Sequence, residues 1–268
     1  MEEEEGKTKV KNKALEEDLA IFLEDVSTIY EGERRPAIKG VSISIRRKEL
    51  VYIVGPNASG KTTLLETING LLPLYKGRVF VLGLNVRTYG NEVRREIGYV
   101  PQDFMFDPGE PYKALDVVLM GRYGKIGILR RPKEEDLRKA METLRLMGID
   151  DQANKPVGKL SGGQQQKVMI ARALAKEPKI LLMDEPFSNL DPDSRERIPE
   201  LIGRLHEERG LTTVIVTHDV HRISRLCRRV IVMGGGRIVA DEGPENALTL
   251  LDTSRPHILG GVWHHDVA

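Results

Sequence analysis

Three observations predict an α/β chain built on a mostly parallel sheet with an inserted helical subdomain. Short apolar runs recur along the sequence, several alternate with segments of helical spacing, and one stretch of helices interrupts that alternation. Residues 22–26, 41–45, 51–54, 79–82, 97–101, 180–184, 213–217, 230–233 and 237–240 read as strands. Residues 63–72 read as a helix, and so do 161–175, with Ser161 as N-cap. Between them, residues 112–120 and 134–147 have helical spacing, broken by Arg130-Arg131-Pro132, and form the insert.

The run 50–54 is followed by Gly55-Pro56-Asn57-Ala58-Ser59-Gly60-Lys61-Thr62, which fits G-x-x-x-x-G-K-[ST] in the strand, loop, helix context this motif needs. Glycines let successive N–H groups turn inward, and the helix start adds the positive end of its dipole. Lys61 supplies a point charge for β- and γ-phosphates, Thr62 is placed to ligate Mg²⁺, and Thr63 continues the nucleotide-facing segment.

A second apolar run, Ile180-Leu181-Leu182-Met183, ends in Asp184-Glu185-Pro186. An acid pair at the C-terminal end of a parallel strand sits where open α/β sheets bind ligands. Asp184 is expected to hold Mg²⁺, and Glu185 to orient or deprotonate an attacking water. Between the two motifs lies Leu160-Ser161-Gly162-Gly163-Gln164, continuing to Gln166. A helix start with two glycines exposes N–H groups to an anion, which makes this a second phosphate site. It cannot serve the nucleotide on its own chain's loop, so a second copy is required.

Taken in order, the 55–62 loop, Gln102 after a short strand, 160–164, 180–185, Ser188-Asn189-Leu190-Asp191 and His218 after 211–217 resemble the ATP-binding cassette ATPases. The likeness covers roughly residues 20–245. It implies a P-loop NTPase core with an antiparallel β subdomain, a cassette domain over 19–250 whose helical insert spans about 103–165, and tails at 1–18 and 251–268. It implies ATP and Mg²⁺ as ligands and a head-to-tail dimer driven by ATP, in which Ser161 and Gly163 of one copy close on the γ-phosphate held by Lys61 of the other. In that scheme Gln102 reaches Mg²⁺ and the water, His218 bonds the γ-phosphate, and Asp191 crosses the dimer seam. Tyr30 stands at the family's usual position for an aromatic stacked on adenine, with a core or edge-strand tyrosine as the alternative. One departure is Ala58, where the family commonly has glycine.

Bulk properties narrow the partners. Lys and Arg total 41 against 40 acids, a net charge of +1 that argues against a nucleic-acid binder working through a global positive field. The single Cys227 and a start lacking a basic then apolar pattern predict cytoplasmic residence. No apolar stretch approaches the roughly 20 residues that span a bilayer, so any membrane role goes through a partner. Residues 1–18 read as a mobile charged tail, and His257, His264 and His265 near Trp263 as a loose tail rather than a metal site. His206 and His221 read as surface residues.

Soluble translation factors of the family usually carry two cassettes, and its genome-maintenance members a long coiled coil; this chain has neither. The resemblance therefore implies the ATP-hydrolysing motor of a membrane importer, at the cytoplasmic face, partnered by permease subunits and indirectly by an extracytoplasmic substrate-binding protein. Residues 116–124 with Arg130-Arg131-Pro132 resemble the manganese and zinc importer branch, and the siderophore and cobalamin branch has a related Gly-Arg-Tyr segment. After Gln102, Phe104 and Phe106 form a docking groove for a membrane subunit or pack the base of the insert.

Overall fold

The computed structural model describes residues 18–102, 104, 106–127, 130–219 and 223–251. The first half runs β1 (Leu19–Thr28), β2 (Ile38–Arg46), β3 (Leu50–Val54), α1 (Lys61–Ile68), β4 (Leu74–Val81), β5 (Leu84–Asn85), α2 (Val86–Glu96) and β6 (Ile97–Val100). The insert holds α3 (Ala114–Met120), α4 (Tyr123–Ile126) and α5 (Glu134–Leu146). The chain continues through α6 (Gly162–Ala175), β7 (Ile180–Asp184), α7 (Pro192–Arg209), β8 (Thr212–Thr217), β9 (Arg229–Gly234), β10 (Arg237–Glu242) and α8 (Pro244–Leu251). His221 and the histidines after residue 251 lie outside the described residues, as do residues 1–17.

The central sheet has the order β10-β9-β3-β8-β7-β6, parallel throughout except for β10 at one edge. Strands β3, β7 and β8 are rich in aliphatic and β-branched residues and buried along their whole length, as parallel strands covered on both faces must be. Alternate residues feed two cores. Val51, Ile53, Ile180, Leu182, Val214 and Val216 pack with α1 and the antiparallel sheet β2-β1-β4-β5. Tyr52, Val54, Leu181, Met183 and Ile215 pack against α3, α5, α6 and α7. In β2 the burial alternates residue by residue, so that sheet turns its other face to solvent.

Register gathers the functional ends. Val54 pairs with Thr217, and Asp184 pairs with Val216. The loop after β3, the acids after β7 and the residues after β8 therefore emerge side by side at one sheet edge.

The insert is fastened to the far end of α6. A Cβ at Gly121 would lie 2.1 Å from the Arg172 carbonyl, so only glycine lets α3 approach α6 this closely. Next to it, Arg122 is buried and donates to Asp136 Oδ1 at 2.6 Å, to the Ala175 carbonyl at 2.8 Å and to Glu177 Oε2 at 3.1 Å. Lys139 adds a 2.7 Å bond to the same Glu177 carboxylate. These contacts hold the carboxyls of Asp136 and Glu177 below the usual range, for Asp136 chiefly through the Lys133 N–H and Arg122 and for Glu177 through Lys139 and Arg122 against an opposing burial effect.

Phe104 and Phe106 meet in a tilted ring pair with centroids 6.0 Å apart and pack partly buried against the core. Each keeps part of its surface open to solvent. His206 is not a free surface residue: it is half-buried, its Nδ1 lies 3.3 Å from Thr213 Oγ, and burial lowers its pKa.

Candidate active site

The loop 55–60 gets its shape from backbone that side chains resist. Gly55 has φ +154° and Gly60 +96°, and a Cβ on Gly55 would sit 2.2 Å from the Met233 carbonyl. The turn after β9 braces the loop from outside through Gly236 N–H to Ser59 O at 3.1 Å. Ala58 holds φ +59°, the left-handed region in which its methyl costs about 1–2 kcal/mol. The alanine that departs from the common glycine is thus accommodated in glycine's conformation.

Gly60 caps α1 without a side-chain hydrogen bond, and no acid stands in the first turn, so the leading N–H groups face out uncapped. Lys61, almost fully buried, turns its Nζ back onto the loop, donating to Gly55 O at 2.9 Å and Pro56 O at 2.8 Å. Burial lowers its pKa, opposed by the charges of Glu185 and Asp184. A phosphate entering this loop offers stronger acceptors than two carbonyls and restores a counter-charge.

Asp184 is completely buried at the end of β7, and neither carboxylate oxygen has a hydrogen-bond partner. Burial pushes its carboxyl up to about 6, with Glu185 adding to the rise; the neighbouring Thr62 hydroxyl and the Lys61 charge act the other way without completing a bond to it. An orphaned buried carboxylate of this kind calls for a cation. Among the described residues no group of three or more His, Cys, Asp or Glu gathers to hold a metal alone. An ion at Asp184 fits if Thr62, phosphate oxygens and water complete its shell.

Glu185 extends the ladder by one residue, its N–H donating to Val216 O at 2.9 Å, and then turns sharply with φ +45°. Its buried carboxylate lies 2.7 Å from His218 Nδ1 through Oε1 and accepts from Thr217 Oγ at 3.3 Å through Oε2. His218 is itself largely exposed. A cavity of about 190 Å³ opens here, lined by Glu185, Phe187, Ser188, Arg195, Thr217, His218 and Asp219. The Glu185 to His218 contact is a feature the sequence did not announce, because it depends on β7 and β8 being neighbours.

Gln102 is exposed just beyond β6, whose Val100 pairs with Met183, one residue before Asp184. Tyr30 is 38% exposed while its hydroxyl is pinned to α1, 3.1 Å from Thr63 Oγ and donating to Glu66 Oε2 at 3.0 Å. These bonds hold Tyr30 beside the helix that carries Lys61.

The 160–164 segment opens α6. Ser161 caps α6: its Oγ accepts from Gln164 N–H at 3.3 Å, and Gln164 Oε1 accepts from Ser161 N–H at 3.1 Å. The Ser161 hydroxyl proton stays free to donate, and Ser161 and Gly162 are exposed with open space beside Gly162. Gly163 has a different role, since a Cβ there would stand 3.1 Å from Asn189 O; it lets α6 lean on the 188–191 loop of its own chain. Asp191, expected at a seam between copies, caps α7 by accepting from Ser194 N–H at 2.9 Å, which lowers its carboxyl pKa.

The sequence matches the family described as ABC transporter over residues 38–188. It is 40% identical over 200 residues to the manganese transport system ATP-binding protein MntB of Bacillus subtilis, covering 75% of this chain and 77% of that one. The zinc transport system ATP-binding protein TroB of Treponema pallidum is 36% identical over 230 residues, 86% of this chain and 84% of its own. The methionine import ATP-binding protein MetN of Caulobacter vibrioides is 38% identical over 229 residues, 84% and 67%. In fold, the chain is similar to a dimeric ATP-binding cassette in a post-hydrolysis state with ADP and Pi, with TM-score 0.73 and 34% identity over 84% of this chain and 98% of that one.

Proposed function

The chain belongs to the ABC transporter family, and from that premise we propose that it is the ATP-hydrolysing motor subunit of an importer whose cargo is a divalent transition metal, manganese or zinc. The observation that carries the motor role is the meeting of Lys61, Asp184, Glu185 and His218 at one sheet edge, with the exposed Ser161 helix start left for a second copy. Its partners are that second copy and membrane permease subunits, since no described helix is long and apolar enough to cross a membrane.

ATP enters with its adenine on Tyr30 and its phosphates on the 55–63 loop, where Lys61 exchanges the Gly55 and Pro56 carbonyls for phosphate oxygens. Magnesium held by Asp184 and Thr62, with Gln102 reaching it on closure, would neutralise charge on the β- and γ-phosphates. Glu185 accepts the proton of the attacking water. His218, now on Glu185, turns its exposed ring to the γ-phosphate when the copies close, freeing the carboxylate. Ser161 and Gly163 N–H of the second copy complete the phosphate cage, and the loop ending at Asp191 lies across the seam. Loss of the γ-phosphate removes what the two copies share, so they separate.

The cargo reading rests on MntB and TroB and on the Gly121-Arg122-Tyr123 likeness. Gly121 and Arg122 have structural duties in the insert, and MetN is about as similar as TroB, so this step is finer than the motor role. Uptake in cells lacking this subunit tests it. Manganese or zinc accumulation is expected to fall while other solutes enter normally. Intact metal uptake with lost iron-chelate or cobalamin uptake moves the chain to the neighbouring branch, and no transport defect at all favours a soluble ATPase role.

A further inference from the structure

Glu185 has to be kept in a backbone conformation that side-chain-bearing residues avoid, and such strain persists only where the surroundings over-determine it. One route to that restraint runs through Ser188. Its N–H approaches the Glu185 carbonyl at 3.3 Å and its Oγ donates to the same oxygen at 3.0 Å, closing the turn 185–188. The carbonyl of Ser188 in turn accepts from Arg195, in the first turn of α7, at 3.0 Å. Arg195 lines the cavity that Glu185 and His218 share, and its Nε is buried with no hydrogen-bond partner. Nothing else among the described bonds employs this guanidinium. Through this bond the guanidinium ties the first turn of α7 to the turn that carries Glu185.

We infer that Arg195 is a positioning residue for Glu185, acting through Ser188 to hold the turn that aims the carboxylate. It does not bind the nucleotide. The inference rests on the reading of Glu185 as the hydrolytic base. The same turn of α7 anchors both ends of the 188–191 loop: Arg195 holds the Ser188 carbonyl, while Asp191 accepts from Ser194 N–H through its side chain and from Arg195 N–H through its carbonyl, each at 2.9 Å.

The test compares Arg195→Met, Arg195→Lys and Ser188→Ala in the full chain, reading ATP affinity and single-turnover hydrolysis at saturating Mg-ATP, with thermal unfolding as a folding control. Arg195→Met is expected to slow hydrolysis about tenfold with ATP affinity within about twofold, Ser188→Ala to act in the same direction more weakly, and Arg195→Lys to recover part of the loss. In a Glu185→Gln background, Arg195→Met should cause no further fall, because the group it aims is already gone. A further fall there, unchanged hydrolysis in the single variants, or a loss of ATP binding equal to the loss of turnover overturns the inference. If Arg195→Met does not fold, Ser188→Ala with and without Glu185→Gln decides by the same criteria. Near-normal turnover in Glu185→Gln alone would instead refute the base assignment itself, which keeps the two failures apart.

Discussion

Replacing Glu185 by Gln is expected to cut ATP turnover about a hundredfold or more while leaving ATP binding intact and the two copies trapped together. The substitution keeps the side chain's shape and its acceptor for the Thr217 hydroxyl, so the strained turn at 185 survives. What it removes is basicity. Without an acceptor for the water's proton the γ-phosphate stays in place, and the contacts it shares with Ser161 of the second copy persist. Single-turnover hydrolysis and sedimentation with Mg-ATP check both halves: slow hydrolysis with a persistent dimer is expected, and fast hydrolysis removes Glu185 from its role.

Asp184→Asn is expected to abolish turnover on a similar scale and yet to stabilise the nucleotide-free fold above pH 6. The sign follows from the raised pKa. A carboxyl ordinary in the unfolded chain near 3.8 and pushed to about 6 by burial binds its proton more tightly when folded. Stability from that proton is full below about pH 4, declines as pH rises through 6, and is gone above it. At about 1.4 kcal/mol per pH unit, the buried charge costs roughly 3 kcal/mol at neutral pH, and asparagine never incurs it. Thermal unfolding without nucleotide should show the variant several degrees more stable at pH 8 and no better near pH 4. Equal behaviour of the two proteins across that range would mean that Asp184 is not a desolvated, unpaired acid.

Both expectations concern residues that were legible before the fold was known. The 55–62 loop, the Asp184-Glu185 pair and the 160–164 segment carry their chemistry in local sequence, because a phosphate loop, a strand-end acid and a helix cap each need particular residues at fixed spacing. The parallel strands were equally plain in their aliphatic runs. What escaped was whatever depends on tertiary contact or runs against local signals. α2 carries little helical signal, being polar, kinked at Tyr89 and buried only at Val86 and Val93. α7 was hidden by Pro199, which reads as a breaker although the helix passes through it. The predicted helix at 63–72 stops at Ile68, where Asn69 and Gly70 with φ +67° end it. Gly121 and Arg122 looked like an echo of cargo, and the fold gives them a close helix contact and a buried ion cluster. No spacing rule reveals that Glu185 rests on His218, since that bond joins the ends of two strands that only the sheet order makes neighbours, whereas the Asp191 cap is local and its Asp-Pro helix start stands in the sequence.

The central claim is that each catalytic site is shared between two copies, and one mixing experiment addresses it. A Lys61→Ala chain lacks the phosphate-binding lysine, and a Ser161→Arg chain carries a bulky cation at the exposed helix start that should meet the other copy's phosphate. Each is expected to be inactive alone. A dimer of one with the other holds one site with both defects and one with neither, so ATP-driven association and turnover should reappear in the mixture in proportion to mixed dimers. A mixture as inactive as its parents in both association and turnover would contradict the shared site.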